Sequence, residues 1–200
     1  MLHQILQCLE DHKDQGRAAC VNRQLYQAVA PLAPALYHFS LRGWASRVRK
    51  LLGTSAAREG INAGHGEEMY TALHVAASSG HNRVVSTLLA AGAALEAENK
   101  GGWRALHIAA QNGHARTVEA LLAAGAALEA EAKDGVRALH FAAMDGHAPA
   151  VESLVEAGAE LEAETKHGWR ALHFTAQNGH ALIVEEAWLA GASYRSQEWP

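Results

Sequence analysis

The chain has 200 residues, 49% hydrophobic and 19% charged, a composition that excludes both a disordered tail and a membrane protein. Its 17 Lys and Arg against 21 Asp and Glu leave a net charge of -4, with no basic excess to gather phosphates, so no nucleic acid is expected as a direct partner. The charge is uneven, net +4 over residues 1–60 and net -8 over residues 61–200, which predicts different tasks for the two ends. Cys8 and Cys20 form neither a disulfide framework nor a zinc pattern, which fits a reducing compartment. The longest apolar stretch, Tyr26 to Phe39, is interrupted by Pro31 and Pro34 and is short of the roughly 20 residues that cross a bilayer. No basic-then-apolar leader opens the sequence. An intracellular protein without a membrane partner is expected, with nucleus and cytosol not separated.

In chain order, Ile5-Leu6-Gln7-Cys8-Leu9-Glu10 predicts a short amphipathic helix and Asp14-Gln15-Gly16 a turn. A second helix is predicted through Ala18, Ala19, Val21, Leu25 and Val29 until Pro31. Segments this small do not fold alone and are expected to dock on the first repeat of the downstream chain. The residues Cys8-Leu9-Glu10, Ala19, Asn22-Arg23, Leu25-Tyr26 and Pro31 resemble the back part of an F-box, most of all the F-box that precedes ankyrin repeats in a large family of fungal proteins. The Leu-Pro that opens an F-box is absent from them. This resemblance implies that residues 1–34 bind Skp1 and present a target to an SCF ubiquitin ligase.

Downstream, a 33-residue period organises the chain. Ala72-Leu73-His74 recurs as Ala105-Leu106-His107, Ala138-Leu139-His140 and Ala171-Leu172-His173. Gly80-His81 recurs at Gly113-His114, Gly146-His147 and Gly179-His180, and Gly92-Ala93 at Gly125-Ala126, Gly158-Ala159 and Gly191-Ala192. Within one unit, Ala105 to Asn112 predicts a helix stopped by Gly113. Ala115 to Ala124 predicts another, with Val118, Leu121 and Leu122 on one face and Gly125 closing it. The linking segment alternates apolar and acidic residues around Asp134-Gly135, which predicts an extended hairpin. Such helices are shorter than the roughly 12–15 residues at which an isolated helix is marginal in water. Neighbouring units must therefore share a core, and the outcome is an all-α stacked solenoid.

A weaker copy lies upstream. With Gly43 set against Gly113, Leu36 matches Leu106, Val48 matches Val118, and Leu51-Leu52 match Leu121-Leu122. The 37 residues from Gly43 to Gly80 imply a four-residue insertion in the stretch Gly60 to Gly66, expected to be flexible. At the other end Glu185, Glu186 and Trp188 break the pattern, as a cap does. The expected organisation is an F-box-like helical segment (1–34), a divergent repeat (35–67), three regular repeats (68–100, 101–133, 134–166) and a capping repeat (167–200).

The period and markers resemble the ankyrin repeat family, whose unit is also 33 residues and carries T-P-L-H-x-A-A followed by G-H and G-A, over residues 68 to about 192. Pro is Ala in every copy, and Thr survives only as Thr71, becoming Arg104, Arg137 and Arg170, which is expected to loosen each first-helix start. The resemblance implies an ankyrin-repeat solenoid with helix-helix-hairpin units. It also implies histidines that bridge backbone groups, and a concave face of hairpin tips and inner-helix ends that holds another protein. On that face stand Tyr70, Trp103, Val136 and Trp169, the arginines Arg104, Arg137 and Arg170, and the pairs Ser78-Ser79, Gln111-Asn112, Met144-Asp145 and Gln177-Asn178.

Exposed tryptophans are costly for solubility and typical of binding anchors. The alternative is a cation-π contact within Trp103/Arg104 and Trp169/Arg170. Trp188, Tyr194 and Trp199 either cover the last repeat or offer its face to a partner. No phosphate loop, nucleophile elbow or H-E-x-x-H occurs, eight of the 13 histidines are repeat markers, and the recurring glutamates read as a solvated hairpin. No cofactor, metal or catalytic residue is expected. Two roles are compatible with these features: a free-standing scaffold or coregulator, for example of a transcription factor, and a substrate adaptor of an SCF ligase.

Overall fold

The structure is a computed structural model that describes residues 32–180. The F-box-like helices ahead of Leu32 and the aromatic group Trp188, Tyr194 and Trp199 lie outside the described residues. The helices are α1 (Leu32–Leu41), α2 (Ala45–Leu52), α3 (Ser55–Glu59), α4 (Ala72–Ser78), α5 (Asn82–Ala90), α6 (Ala105–Gln111), α7 (Ala115–Ala123), α8 (Ala138–Met144), α9 (Ala148–Glu156) and α10 (Ala171–Gln177). No strand occurs among the described residues. An isolated bridge pairs His65 with Tyr70, so the predicted hairpins are tight loops with one or two backbone bonds each.

The helices stack in two rows. The inner row runs α1, α4, α6, α8, α10 and the outer row α2, α5, α7, α9. Ala76, Ala109 and Ala142 are fully buried in the inner row, where a methyl side chain lets successive helices approach. Leu88, Leu121 and Leu154, also fully buried, fill the space between the rows, each worth about 1.5–3 kcal/mol. Helices of seven residues persist because this buried surface is supplied by their neighbours.

Each helix pair turns at a left-handed glycine. In the second described repeat, Gly80 has φ 66, His81 N–H donates to Ala76 O at 3.0 Å and Gly80 N–H to Ala77 O at 3.2 Å, the double bond of a Schellman end. Hairpins close through Asn99 N–H to Trp103 O (3.0 Å), Ala132 N–H to Val136 O (2.8 Å) and Thr165 N–H to Trp169 O (2.8 Å). Each tip then bonds to the next: Lys100 N–H to Glu68 O (3.0 Å), Lys133 N–H to Gly101 O (3.4 Å) and Lys166 N–H to Asp134 O (2.9 Å).

The divergent first repeat differs from expectation in two ways. Its helix α1 starts at Leu32, inside the segment assigned to 1–34. Pro34 fits there because it sits in the first turn, where its missing N–H has no intrahelical acceptor to lose. The four-residue insertion is folded rather than slack. Most of it lies upstream of the expected Gly60 to Gly66 stretch: Asn62 takes the place of Glu96 in bonding the next linker, which leaves three extra residues between Leu51 and Asn62, where α3 forms, Ala57 and Ile61 are buried, and Arg58 Nε donates to Leu52 O at 2.8 Å. One of the extra residues enlarges the hairpin loop between His65 and Tyr70, where Gly66 and Met69 have positive φ.

Candidate partner-binding face

The start of each inner helix is where this sequence departs from a hydroxyl cap. At α4, Thr71 Oγ1 accepts the His74 N–H at 3.4 Å and Thr71 N–H donates to His74 Nδ1 at 3.0 Å, a reciprocal capping box. An arginine side chain has no acceptor, so at α6, α8 and α10 the return half alone survives. Arg104, Arg137 and Arg170 N–H donate to His107, His140 and His173 Nδ1, each at 3.0 Å.

The arginine side chains compensate from the other direction. Arg104 reaches Glu96 (2.8 Å) and Glu98 (2.9 Å), and Arg170 reaches Glu162 (2.7 Å) and Glu164 (2.6 Å). Arg137 reaches Glu129 (2.6 Å), Glu131 (3.5 Å) and, in the next linker, Glu160 (2.8 Å). Glu96 Oε1 also accepts Ala127 N–H at 3.0 Å, and Glu129 Oε1 accepts Glu160 N–H at 2.9 Å. The acidic linker is thus a clamp that ties an arginine cap to the following repeat, not merely a solvated hairpin.

Because a backbone N–H points at Nδ1 in each repeat, the ring proton sits on Nε2. His107 Nε2 donates to Ala130 O (2.8 Å) and His140 Nε2 to Ala163 O (3.0 Å), while His74 Nε2 meets both Ala97 O (3.0 Å) and Trp103 O (3.1 Å). Burial pushes all three pKa values down, partly offset by these carbonyls. The second histidine joins neighbours in two of the repeats, His81 Nε2 to Leu41 O (3.1 Å) and His114 Nε2 to Ser78 O (2.9 Å). In His74, His107 and His140 both ring nitrogens are thus spent on backbone groups.

The tip residues Tyr70, Trp103, Val136 and Trp169 stand one per repeat along the bonded hairpins. Tyr70 is half-buried, edge-on to His74 at 5.8 Å. Trp103 is half-buried with its ring 4.3 Å from that of Phe141 in the next inner helix. Trp169 is 36% exposed and rests on Phe174 at 5.2 Å, and Val136 is half-buried. The cation-π pairing within Trp103/Arg104 and Trp169/Arg170 does not form, because both guanidiniums are drawn to glutamates; the cation-π contacts among the described residues are those of Arg42 and Arg47.

At the inner-helix ends Ser78, Ser79, Gln111 and Met144 are half-buried, and Asn112, Asp145, Gln177 and Asn178 are exposed. Asn112 Nδ2 is spent on Ile108 O (2.8 Å) and Asn178 Nδ2 on Met144 O (2.7 Å). The side chains of Gln111, Asp145 and Gln177 make no hydrogen bond within the described residues.

A family model described as ankyrin repeats (3 copies) matches residues 41–134 and again residues 106–195. The chain belongs to the ankyrin-repeat family. None of the curated proteins matches it. Among the described residues no helix is long and apolar enough to cross a membrane. Ankyrin repeats are protein-interaction modules, and in this one the arginine clamps are the local departure. The clamping glutamates are structural partners that the repeat pattern hid, yet the sequence held a signal for them. Each Arg has Glu eight and six residues before it, while Thr71 has Ala63 and His65 there.

Proposed function

We propose that the chain is a non-enzymatic interaction scaffold that holds a partner polypeptide along its hairpin tips and inner-helix ends. One observation carries this reading. The Ala-Leu-His, Gly-His and Gly-Ala markers are held fixed from unit to unit, whereas the hairpin tip reads Tyr70, Trp103, Val136 and Trp169 and the inner-helix end reads Ser78-Ser79, Gln111-Asn112, Met144-Asp145 and Gln177-Asn178, three kinds over four copies in each case. Arg104, Arg137 and Arg170 flank the tips, and their half-exposed clamps add donors and acceptors for a polar rim. With its histidines tied to backbone and its arginines to carboxylates, the face offers shape and hydrogen bonds rather than reacting groups.

The test is a crosslinked pull-down from extract, read by mass spectrometry, with the wild-type chain and a Gln111→Ala, Asp145→Ala, Gln177→Ala variant. These side chains support no internal bond, so the variant keeps its fold. Loss of a reproducible partner supports the reading, and an unchanged partner list refutes it. A transcription factor among the captured proteins would make the chain a coregulator.

A second reading, the SCF substrate adaptor, rests on the F-box-like residues Cys8-Leu9-Glu10, Asn22-Arg23 and Leu25-Tyr26. Co-purification of Skp1 that depends on residues 1–34 supports it, and absence of Skp1 from a purification that recovers other partners removes it.

A further inference from the structure

The arginines of the hairpin row are each matched by two or three carboxylates. Arg49, Arg58, Arg83 and Arg116 are matched by none among the described residues, and the first three are gathered in one place. Arg49 on α2, Arg58 on α3 and Arg83 on α5 line one open cleft of about 740 Å³ between the outer helices of the first two described repeats. No Asp or Glu lines this cleft, and none of the three arginines makes an ion pair among the described residues. Its volume falls within the roughly 300–1,000 Å³ of ordinary ligand pockets.

Four features of the cleft suit an anion. Arg49 and Arg58 each stand in the last turn of a helix, where a cation is favoured, but gathering three like charges around one concave surface also concentrates positive potential there. The Arg58 head is oriented, since its Nε donates to Leu52 O at 2.8 Å and leaves its terminal amino groups for another acceptor. Arg58 also belongs to the insertion that the other repeats lack, so the departure from the repeat pattern is what delivers the third guanidinium. Along the outer row the position of Arg49 becomes Ser86, Glu119 and Glu152, and that of Arg83 becomes Arg116 and then Pro149, so the positive charge fades toward the far end.

We propose that this cleft docks a short acidic segment of a protein partner, with carboxylates on Arg49, Arg58 and Arg83 and one apolar side chain on the floor at Leu52 and Ala90. Guanidinium forks suit carboxylates, and a floor with Ala45, Leu52, Ala90 and Ala91 suits a side chain rather than a phosphate. A nucleic acid laid along the outer helices would run onto Glu119 and Glu152, so the charge pattern selects a short peptide over an extended polyanion. The site shares no residue with the hairpin-tip face, and either can fail without the other.

The test is fluorescence anisotropy of the full chain with a labelled peptide of alternating Asp and Glu around one central Leu. Binding is expected at low salt, weakening about tenfold or more from about 50 to about 300 mM salt. Affinity should fall at least about tenfold in an Arg49→Gln, Arg58→Gln, Arg83→Gln variant with unchanged circular dichroism. Should that variant lose its fold through the Arg58 tether, Arg83→Gln alone, at an exposed position, should still weaken binding about threefold. The proposal is overturned by no binding at low salt, by equal binding to the variants, or by equal binding of a peptide with Gln at every acidic position. Tighter binding of an RNA oligonucleotide, or a dimer of the chain that the triple substitution abolishes, would assign the cleft to another occupant and overturn it as well.

Discussion

The imidazole of His147 packs against the α-carbon of Gly113 so closely that a methyl group there would come within 2.5 Å of His147 Nδ1. Gly43 with His81, Gly80 with His114 and Gly146 with His180 repeat the relationship, so one histidine of each repeat occupies the space its predecessor's glycine leaves. Gly113 has φ 70, and Gly168 has φ 73 with nothing within 4 Å of the place a methyl group would take. Gly168→Ala should therefore carry backbone strain alone, about 1–2 kcal/mol. Gly113→Ala should add an overpacking cost of about 1–3 kcal/mol. Urea midpoints of the two variants check this, and equal midpoints would mean that the histidine contact is not part of the stacking.

The arginine clamps make a prediction about salt. Arg137→Ala removes contacts to Glu129, Glu131 and Glu160. Those carboxylates are 41–62% exposed, so screening holds the loss to about 1–2 kcal/mol. The difference between wild type and variant, measured by thermal unfolding, should shrink toward zero at about 1 M salt.

Stability should fall in mild acid. The folded-state pKa values of His74, His107 and His140 are lowered, first of all by burial, whereas the same groups in the unfolded chain titrate at about 6.5. Below that value the unfolded state binds more protons than the folded one, so stability is complete above about pH 7 and declines as pH falls toward the lowered folded values. With three such groups the slope approaches about 4 kcal/mol per pH unit. His107→Gln should flatten the decline by about a third in urea unfolding at a series of pH values.

The two tryptophans should separate stability from binding. Trp103→Ala strips the packing on Phe141, 4.3 Å away, and should cost about 1–3 kcal/mol. Trp169→Ala, at a side chain already 36% exposed, should cost less than half of that. Both should weaken partner capture in the pull-down, and it is the Trp169 variant, whose melting temperature should fall the less, that isolates recognition when capture is read well below that temperature.

The period of 33 and its three markers made the two rows of helices readable, because the buried residues Ala76, Ala109 and Ala142 and Leu88, Leu121 and Leu154 recur in register. What escaped a repeat-by-repeat reading lies between repeats. The Arg–Glu clamps connect residues six and eight apart across a linker, and become visible when Thr71 with Ala63 and His65 is set beside Arg104 with Glu96 and Glu98. Glycine content made the insertion look slack, yet its ordering comes from Ala57 and Ile61 upstream and within it, both buried against the first repeat. Trp103 was legible as an aromatic at a tip, but its seat on Phe141 depends on one position of the neighbouring inner helix, which reads Val75, Ile108, Phe141 and Phe174 down the stack.

The central claim is that partner recognition runs along one row of hairpin tips and inner-helix ends. Crosslinking mass spectrometry of the captured complex tests it most directly, with a photoreactive group placed in turn at Lys100, Lys133 and Lys166 on the tips and at Glu119 and Glu152 on the outer helices. The account predicts partner crosslinks from all three tip positions and none above background from the outer two. Crosslinks that arise chiefly from Glu119 and Glu152, or evenly from all five positions, would contradict it.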